Sequence, residues 1–213
     1  MNKTILLLGG GRDSVAILRA AKGMGLRVTV ADSDPGCPCY PLCDEFVLAS
    51  CYDSNELIQA LNDPEHSVVD AVLPAGTDTA QQAVDVARAF GLPWPPPDHA
   101  AHSWSNSAQS YRLDSFGVLV PNYHRSPPGD HFVNVWPVAV VKPDIGRGAR
   151  GVLRIVGPSH TDTLVEESRK STAPGFPIVV IQPWVDGPQL STESLVLGGK
   201  VVWTAIAVRN YSR

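Results

Sequence analysis

Positive charge is scarce in this chain. Seventeen Lys and Arg against 21 Asp and Glu leave a formal net charge of -4 over 213 residues. Nucleic acids and acidic membrane surfaces call for a basic excess, so the composition argues against both as partners. Phosphate, if bound, has to be met locally by one or two well-placed cations. Long apolar runs are missing too, and no stretch reaches the roughly 18 residues that a membrane helix needs. Met1-Asn2-Lys3-Thr4 leads straight into a strand pattern without the apolar region of a signal peptide, so a cytoplasmic location is expected. Cysteine is limited to Cys37, Cys39, Cys43 and Cys51, all in one short segment. The spacing C-x-C-x3-C-x7-C matches no common zinc pattern, and the nearest downstream histidine is His66. They read as small reduced side chains in a loop, with a metal or redox role left open. There is no internal repeat and no low-complexity tract.

What is present suffices for a core: 44% of the residues are hydrophobic, enough for one large domain or two small ones. The apolar run Ile5 to Leu8 is followed by Gly9-Gly10-Gly11. Residues 13 to 24 then place Val15, Ile17, Leu18, Ala21 and Met24 near helical spacing. Further strand patterns occupy Leu26 to Ala31, Phe46 to Ala49 and Val69 to Leu73, with helical patterns at 53 to 62 and 77 to 90. Strands alternating with helices imply a parallel sheet with crossover helices, a Rossmann-like unit over residues 1–95. The prolines of Gly91-Leu-Pro-Trp-Pro-Pro-Pro-Asp98 mark a boundary. Residues 96–130 form a linking segment, with a helix at about 104 to 116 and Val118 to Pro121 leading into a strand. Residues 131–213 read as a strand-rich, mostly antiparallel α+β unit with a helix at about 160 to 170. Its strands fall at 178 to 184, 190 to 197 and 200 to 208.

The first glycine turn permits a dinucleotide reading. Gly9-Gly10-Gly11-Arg12-Asp13-Ser14 follows a strand and opens a helix, and Asp32 ends the second strand as a ribose-binding acid would. The fingerprint is then G-x-G-x-x-S, with serine where Gly or Ala is usual. The other reading is a tight turn that needs glycine for its backbone angles.

The most informative stretch runs from Val138 to Val156. Two apolar, largely β-branched runs flank a loop with glycines at 146, 148 and 151, and Lys142 ends the first run. A hairpin of this kind exposes backbone N–H groups at its tip, and a lysine at its mouth supplies the point charge that a polyphosphate needs. Read alone, it is equally an ordinary hairpin with a basic, flexible turn.

Taken in order, the segments resemble the ATP-grasp superfamily, which includes carbamoyl phosphate synthetase, biotin carboxylase and the amino-acid ligases. Val30-Ala-Asp-Ser-Asp-Pro35 and Asp44-Glu-Phe46 resemble its preATP-grasp domain, and Ser105 to Pro121 its linking helix. Trp136 to Pro143 with Gly146 to Val152 resembles the phosphate lysine and lid, and Ile178 to Glu193 the adenine hinge. The resemblance implies an ATP-dependent ligase that activates a small-molecule carboxylate as an acyl phosphate for attack by an amine or similar nucleophile. It implies that Lys142 binds phosphates and that Gly146, Gly148 and Gly151 cover them, with Arg147 or Arg150 adding a contact. It also implies that Gln182, Trp184 and Val185 hold adenine, with the Gln182 carbonyl accepting from the exocyclic amine, and that Gln189 meets the ribose. ATP and Mg2+ are the implied cofactors. Asn106 stands where the family often has a second basic group, and Gln182-Pro183 where it usually has paired acids. The family's metal-binding segment would follow Arg213, so an incomplete ATP-grasp domain is expected. The chain is then part of a ligase, a half completed by another chain, or a degenerate nucleotide-binding or partner-pairing module with exposed strand edges that favour self-association. Gly76-Thr77-Asp78, at the end of the fourth strand, is either a substrate position or a capped loop.

Overall fold

The computed structural model describes residues 3–74, 76–92, 104–146, 148–173 and 175–209. The triproline and Arg147, both singled out above, lie outside the described residues.

The N-terminal part is a parallel sheet covered on both faces. Strands β1 (Thr4–Leu8), β2 (Arg27–Asp32), β3 (Glu45–Leu48) and β4 (Ala71–Pro74) lie in the order β3-β2-β1-β4 with parallel pairing throughout. Helices α1 (Arg12–Gly23) and α2 (Ser54–Leu61) connect them, and α3 (Ala80–Ala89) follows β4. The continuous leucine run of β1 is explained by this sandwiching. Leu6 and Leu8 enter one core with Leu57 of α2 and Val86 and Ala87 of α3, while Leu7 enters the other with Leu18 and Ala21 of α1. A strand at the centre of such a sheet has no wet face, so apolar alternation is replaced by an apolar run. Each fully buried leucine contributes about 1.5–3 kcal/mol. Asp53 starts α2 by accepting from the N–H groups of Asn55 and Glu56.

Helix α4 (Asn106–Ser115) leads to the second part. Its sheet is antiparallel, in the order β5-β8-β6-β7, from β5 (His124–Ser126), β8 (Val179–Pro183), β6 (Val138–Pro143) and β7 (Leu153–Val156). Val118 to Val120 forms no strand. Pairing begins only at His124, beyond Pro121, whose ring removes a ladder donor. Helix α5 (Thr161–Arg169) closes one face, where Ala139, Val141, Ile155, Val179 and Ile181 pack with Val165. Strands β9 (Leu190–Leu197) and β10 (Lys200–Val208) pair as a separate antiparallel hairpin, with a register shift between Val201 and Trp203. Its large apolar side chains, among them Leu190, Leu195, Trp203, Ile206 and Val208, are exposed.

Candidate nucleotide site

Strand β6 alternates cleanly: Ala139, Val141 and Pro143 are buried, and Val138, Val140 and Lys142 are half-buried on the opposite face. Register extends that open face across the sheet. Lys142 lies opposite Val180, and Val140 lies between Gln182 and Arg154. The Trp184 N–H bonds to the Val138 carbonyl, so Trp184 continues the same row. The Arg154 guanidinium sits 5.0 Å above the Trp184 ring, and the indole N–H donates to Asp186 at 2.7 Å. From Val138 to Lys142 the strand rises roughly 13 Å, a span on the scale of a nucleotide.

Lys142 has no hydrogen-bond or ion-pair partner among the described residues. Its burial lowers its pKa from the ordinary 10.5, and the negative charge of Asp144 works against that shift. A half-buried ammonium without a partner favours an incoming anion.

Asp144 carries no motif signal, yet it organises the junction between α4 and the sheet. Only 3% exposed, it accepts from the Ser107 N–H at 2.7 Å, the Ser107 hydroxyl at 3.0 Å and the Ser105 hydroxyl at 3.1 Å. Arg125 lies 3.7 Å away. Asn106 belongs to the same junction. Its Nδ2 donates to the carbonyls of Pro143 at 2.9 Å and Asp144 at 3.2 Å, and its N–H bonds to the Asp144 carbonyl. The position that the resemblance reads as a missing second cation therefore fastens α4 to the end of β6.

The glycine-rich loop turns toward the C-terminal ends of the parallel strands. Gly148 and Arg150 line a cavity of about 610 Å3 with Tyr52, Gly76, Thr77 and Asp78. Gly146 lines an adjoining one of about 930 Å3 that also includes Asn106 and Trp104. Lys142, Gln182, Trp184, Val185 and Gln189 line neither, so the loop and the open sheet face are two separate surfaces among the described residues. Gly151 serves packing: a Cβ there would lie 2.7 Å from the Ser171 Cβ and 2.9 Å from the Ser168 carbonyl oxygen. Val185 and Gln189 are exposed, and the Gln189 carbonyl accepts from the Arg209 N–H.

One expectation at the hinge needs correction. In an antiparallel ladder, residues facing the partner with both backbone groups alternate with residues facing away. The bonds from Asp144 to Ile178 and from Trp184 to Val138 put the even-numbered residues of β8 in the first set. The Gln182 carbonyl is thus directed at Val140 of β6, and it is the Pro183 carbonyl that turns outward.

The acid that a dinucleotide's ribose would need, Asp32, is already engaged by the chain. The Gly10 N–H donates to Asp32 at 2.7 Å, and a second Asp32 oxygen takes the Asp34 N–H. The Cys37 thiol lies only 2.3 Å from where a Gly10 Cβ would sit. Cys51 packs in the core of Leu6 and Leu8, whereas Cys39 and Cys43 pack in that of Leu7. All four cysteines are free thiols.

A helix-covered parallel sheet followed by an antiparallel sheet is the ATP-grasp fold. The chain has that fold. The L-amino acid ligase from Bacillus licheniformis matches it over 100% of this chain and 52% of the ligase, with a TM-score of 0.76 and 22% identity. N5-carboxyaminoimidazole synthetase from Staphylococcus aureus, solved with ADP, matches 99% of this chain and 57% of its own, with a TM-score of 0.72 and 19% identity. The biotin carboxylase domain of the Hydrogenobacter thermophilus 2-oxoglutarate carboxylase, solved with MgADP, matches 90% of this chain and 46% of its own, with a TM-score of 0.67 and 14% identity. The chain thus spans about half the length of these solved structures. No protein-family model matches it, and no curated protein does.

Proposed function

We propose that the chain is the nucleotide-binding portion of an ATP-dependent ligase that joins a small-molecule carboxylate to an amine or similar nucleophile. In this reading residues 1–95 are the preATP-grasp unit, 96–130 the link and 131–213 the nucleotide-binding unit, working in the cytoplasm. The observation that carries it is Lys142, half-buried, without a hydrogen-bond or ion-pair partner among the described residues, and set at one end of the open face of the antiparallel sheet. That face fits ATP: Lys142 meets the phosphates, Val140 and Val138 line the middle, and the hinge at Pro183 and Val185 takes the base.

In the reaction, a carboxylate oxygen attacks the γ-phosphorus and ADP leaves, giving an acyl phosphate. The nucleophile then attacks the acyl carbon, phosphate departs, and the nucleophile loses its proton. Lys142 contributes by holding negative charge in place, since such a transfer depends on positioning and charge neutralisation. Among the described residues no group of three or more His, Cys, Asp or Glu is placed to hold a metal ion. The Mg2+ that the fold implies would neutralise phosphate charge when bound, and the exposed β9-β10 hairpin is a surface on which a completing segment or chain would build.

Titration calorimetry with ATP tests the nucleotide role on the chain and on Lys142→Ala. Wild-type binding weakened tenfold or more by the substitution is expected, and equal affinity, or no binding by either protein, sinks it. The hairpin also favours a second reading, a pairing module without catalysis. Light scattering should then show association, and a strictly monomeric chain counts against it.

A further inference from the structure

The row that contains Lys142 extends to the edge of the sheet. Val180 of β8 pairs with Lys142 on one side and with Arg125 of β5 on the other. Residues directly opposite in an antiparallel ladder project from the same face, so Lys142 and Arg125 flank the fully buried Val180 on one side of the sheet. Their Cα atoms are two strand spacings apart, roughly 10 Å, a gap that two long side chains can close on a guest. Both lean toward Asp144: the Arg125 Nε lies 3.7 Å from its carboxylate, and the same negative charge acts on the Lys142 ammonium. Asp144 uses up neither cation. Its oxygens accept from the Ser107 N–H and from the hydroxyls of Ser105 and Ser107, and 3.7 Å is beyond hydrogen-bond range for Arg125. Arg125 makes no hydrogen bond among the described residues, so its guanidinium keeps its donors. Arg154, one row along and opposite Val140, is held over the Trp184 ring and does not join them.

Two cations facing one buried carboxylate leave the row with a net positive charge. Arg125 is more than half exposed and needs no guest for its own sake. The span between the two cations is what selects: a guest that meets both has to carry several negative oxygens in a chain. We propose that Arg125 is a second phosphate-binding residue, reaching a polyphosphate from the edge strand β5 while Lys142 meets it from the inner strand β6. The guanidinium can take two phosphate oxygens in its planar fork, whereas the lysine acts as a point charge. The two do not act independently, because Asp144 lies between them and attracts both. No motif marks Arg125, which sits in the short strand His124–Ser126. The assignment rests on the nucleotide reading for the base that accompanies the phosphates, not for the phosphates themselves.

The test titrates ATP and inorganic tripolyphosphate by calorimetry into the whole chain, Arg125→Gln and Arg125→Lys. Arg125→Gln should weaken both ligands on the order of tenfold, the scale of one charge-assisted hydrogen bond. Arg125→Lys should recover part of that loss, because the charge is kept and only the fork is lost. Urea midpoints should stay close to that of the wild type in both variants, since an exposed ion pair adds little stability. Unchanged affinities in Arg125→Gln overturn the proposal, and so does a loss that lysine does not recover and that comes with a lowered urea midpoint, the mark of a structural role. The two readings fail separately. ATP binding that falls in Lys142→Ala but not in Arg125→Gln removes the Arg125 assignment alone. Tripolyphosphate binding that depends on Arg125, with ATP binding no more tightly than tripolyphosphate, removes the nucleotide role alone. No binding of either ligand by the wild type removes both.

Discussion

Replacing Asp144 by alanine should loosen the junction between α4 and the antiparallel sheet, and the size of the loss follows from its partners. The Ser107 N–H is buried and has only this carboxylate as acceptor at 2.7 Å, while two hydroxyls point at it from 3.0 and 3.1 Å. A hydrogen bond to a charged group is worth about 1.5–3 kcal/mol, and leaving a buried donor unmet costs about 1–3 kcal/mol. The hydroxyls can rotate to other acceptors, and Arg125 is more than half exposed at 56%, so neither adds much. The expected loss for Asp144→Ala is therefore about 3–5 kcal/mol. Asparagine keeps an acceptor for the Ser107 N–H and offers its amide to the serine hydroxyls, so Asp144→Asn should lose only about 1 kcal/mol. Urea unfolding followed by tryptophan fluorescence reads both as a lower midpoint at an unchanged slope. A second readout is the pH at which ATP binding fails: Asp144 opposes the downward shift of Lys142, so the alanine variant should lose binding at lower pH than the wild type. An alanine loss below about 1 kcal/mol, or an asparagine variant as unstable as the alanine one, would refute the junction.

Lys142→Met should raise stability at pH 7 by about 0.5–2 kcal/mol while abolishing ATP binding. Because burial lowers the folded pKa of Lys142 from 10.5, the unfolded chain holds more protons between that lowered value and 10.5. Wild-type stability from this group therefore rises with pH across that window, and a wild-type minus methionine difference that stays flat would contradict it. Gly151→Ala should cost about 2–4 kcal/mol, against about 1 kcal/mol for Gly148→Ala. Both have left-handed backbone, at φ +70° and φ +56°, but only Gly151 has neighbours where the methyl would go; denaturation midpoints in the reverse order would sink the packing role. Burial pushes the Cys39 thiol up to about 11, so about 0.1% of it is thiolate at pH 8. Iodoacetamide on the native chain should modify half-buried Cys43 well before Cys39, and mass spectrometry showing equal rates would count against that burial.

Much of the architecture was legible because it is periodic. The leucines of β1 and the spaced apolar residues of α1 point to a core whose form follows from side-chain direction alone, and the order of the later segments carried the ATP-grasp resemblance. The junction at Asp144 was not legible. It joins polar residues 37 to 39 positions apart, and no local pattern distinguishes a Lys-Pro-Asp that caps a helix from one that ends at a loop. The glycines misled for a related reason. The sequence counts them as one phosphate loop, whereas Gly148 borders a cavity and Gly151 yields to the end of α5. A missing side chain records that something comes close, not what it is.

The same distinction governs the charge on the open face. Reading Asn106 as a lost cation treats each position as serving the ligand, but its amide spans two carbonyls at the end of β6, where a lysine could not pack without displacing that contact. Asp144, fastened by the same helix, keeps Lys142 from shifting further toward neutrality. One cation is thus supported by a junction, in place of two acting independently. The nucleotide affinity of this chain should accordingly be more sensitive to changes at Asp144 and Asn106, which touch no phosphate in this reading, than to changes at exposed Arg154, which lies on the face itself.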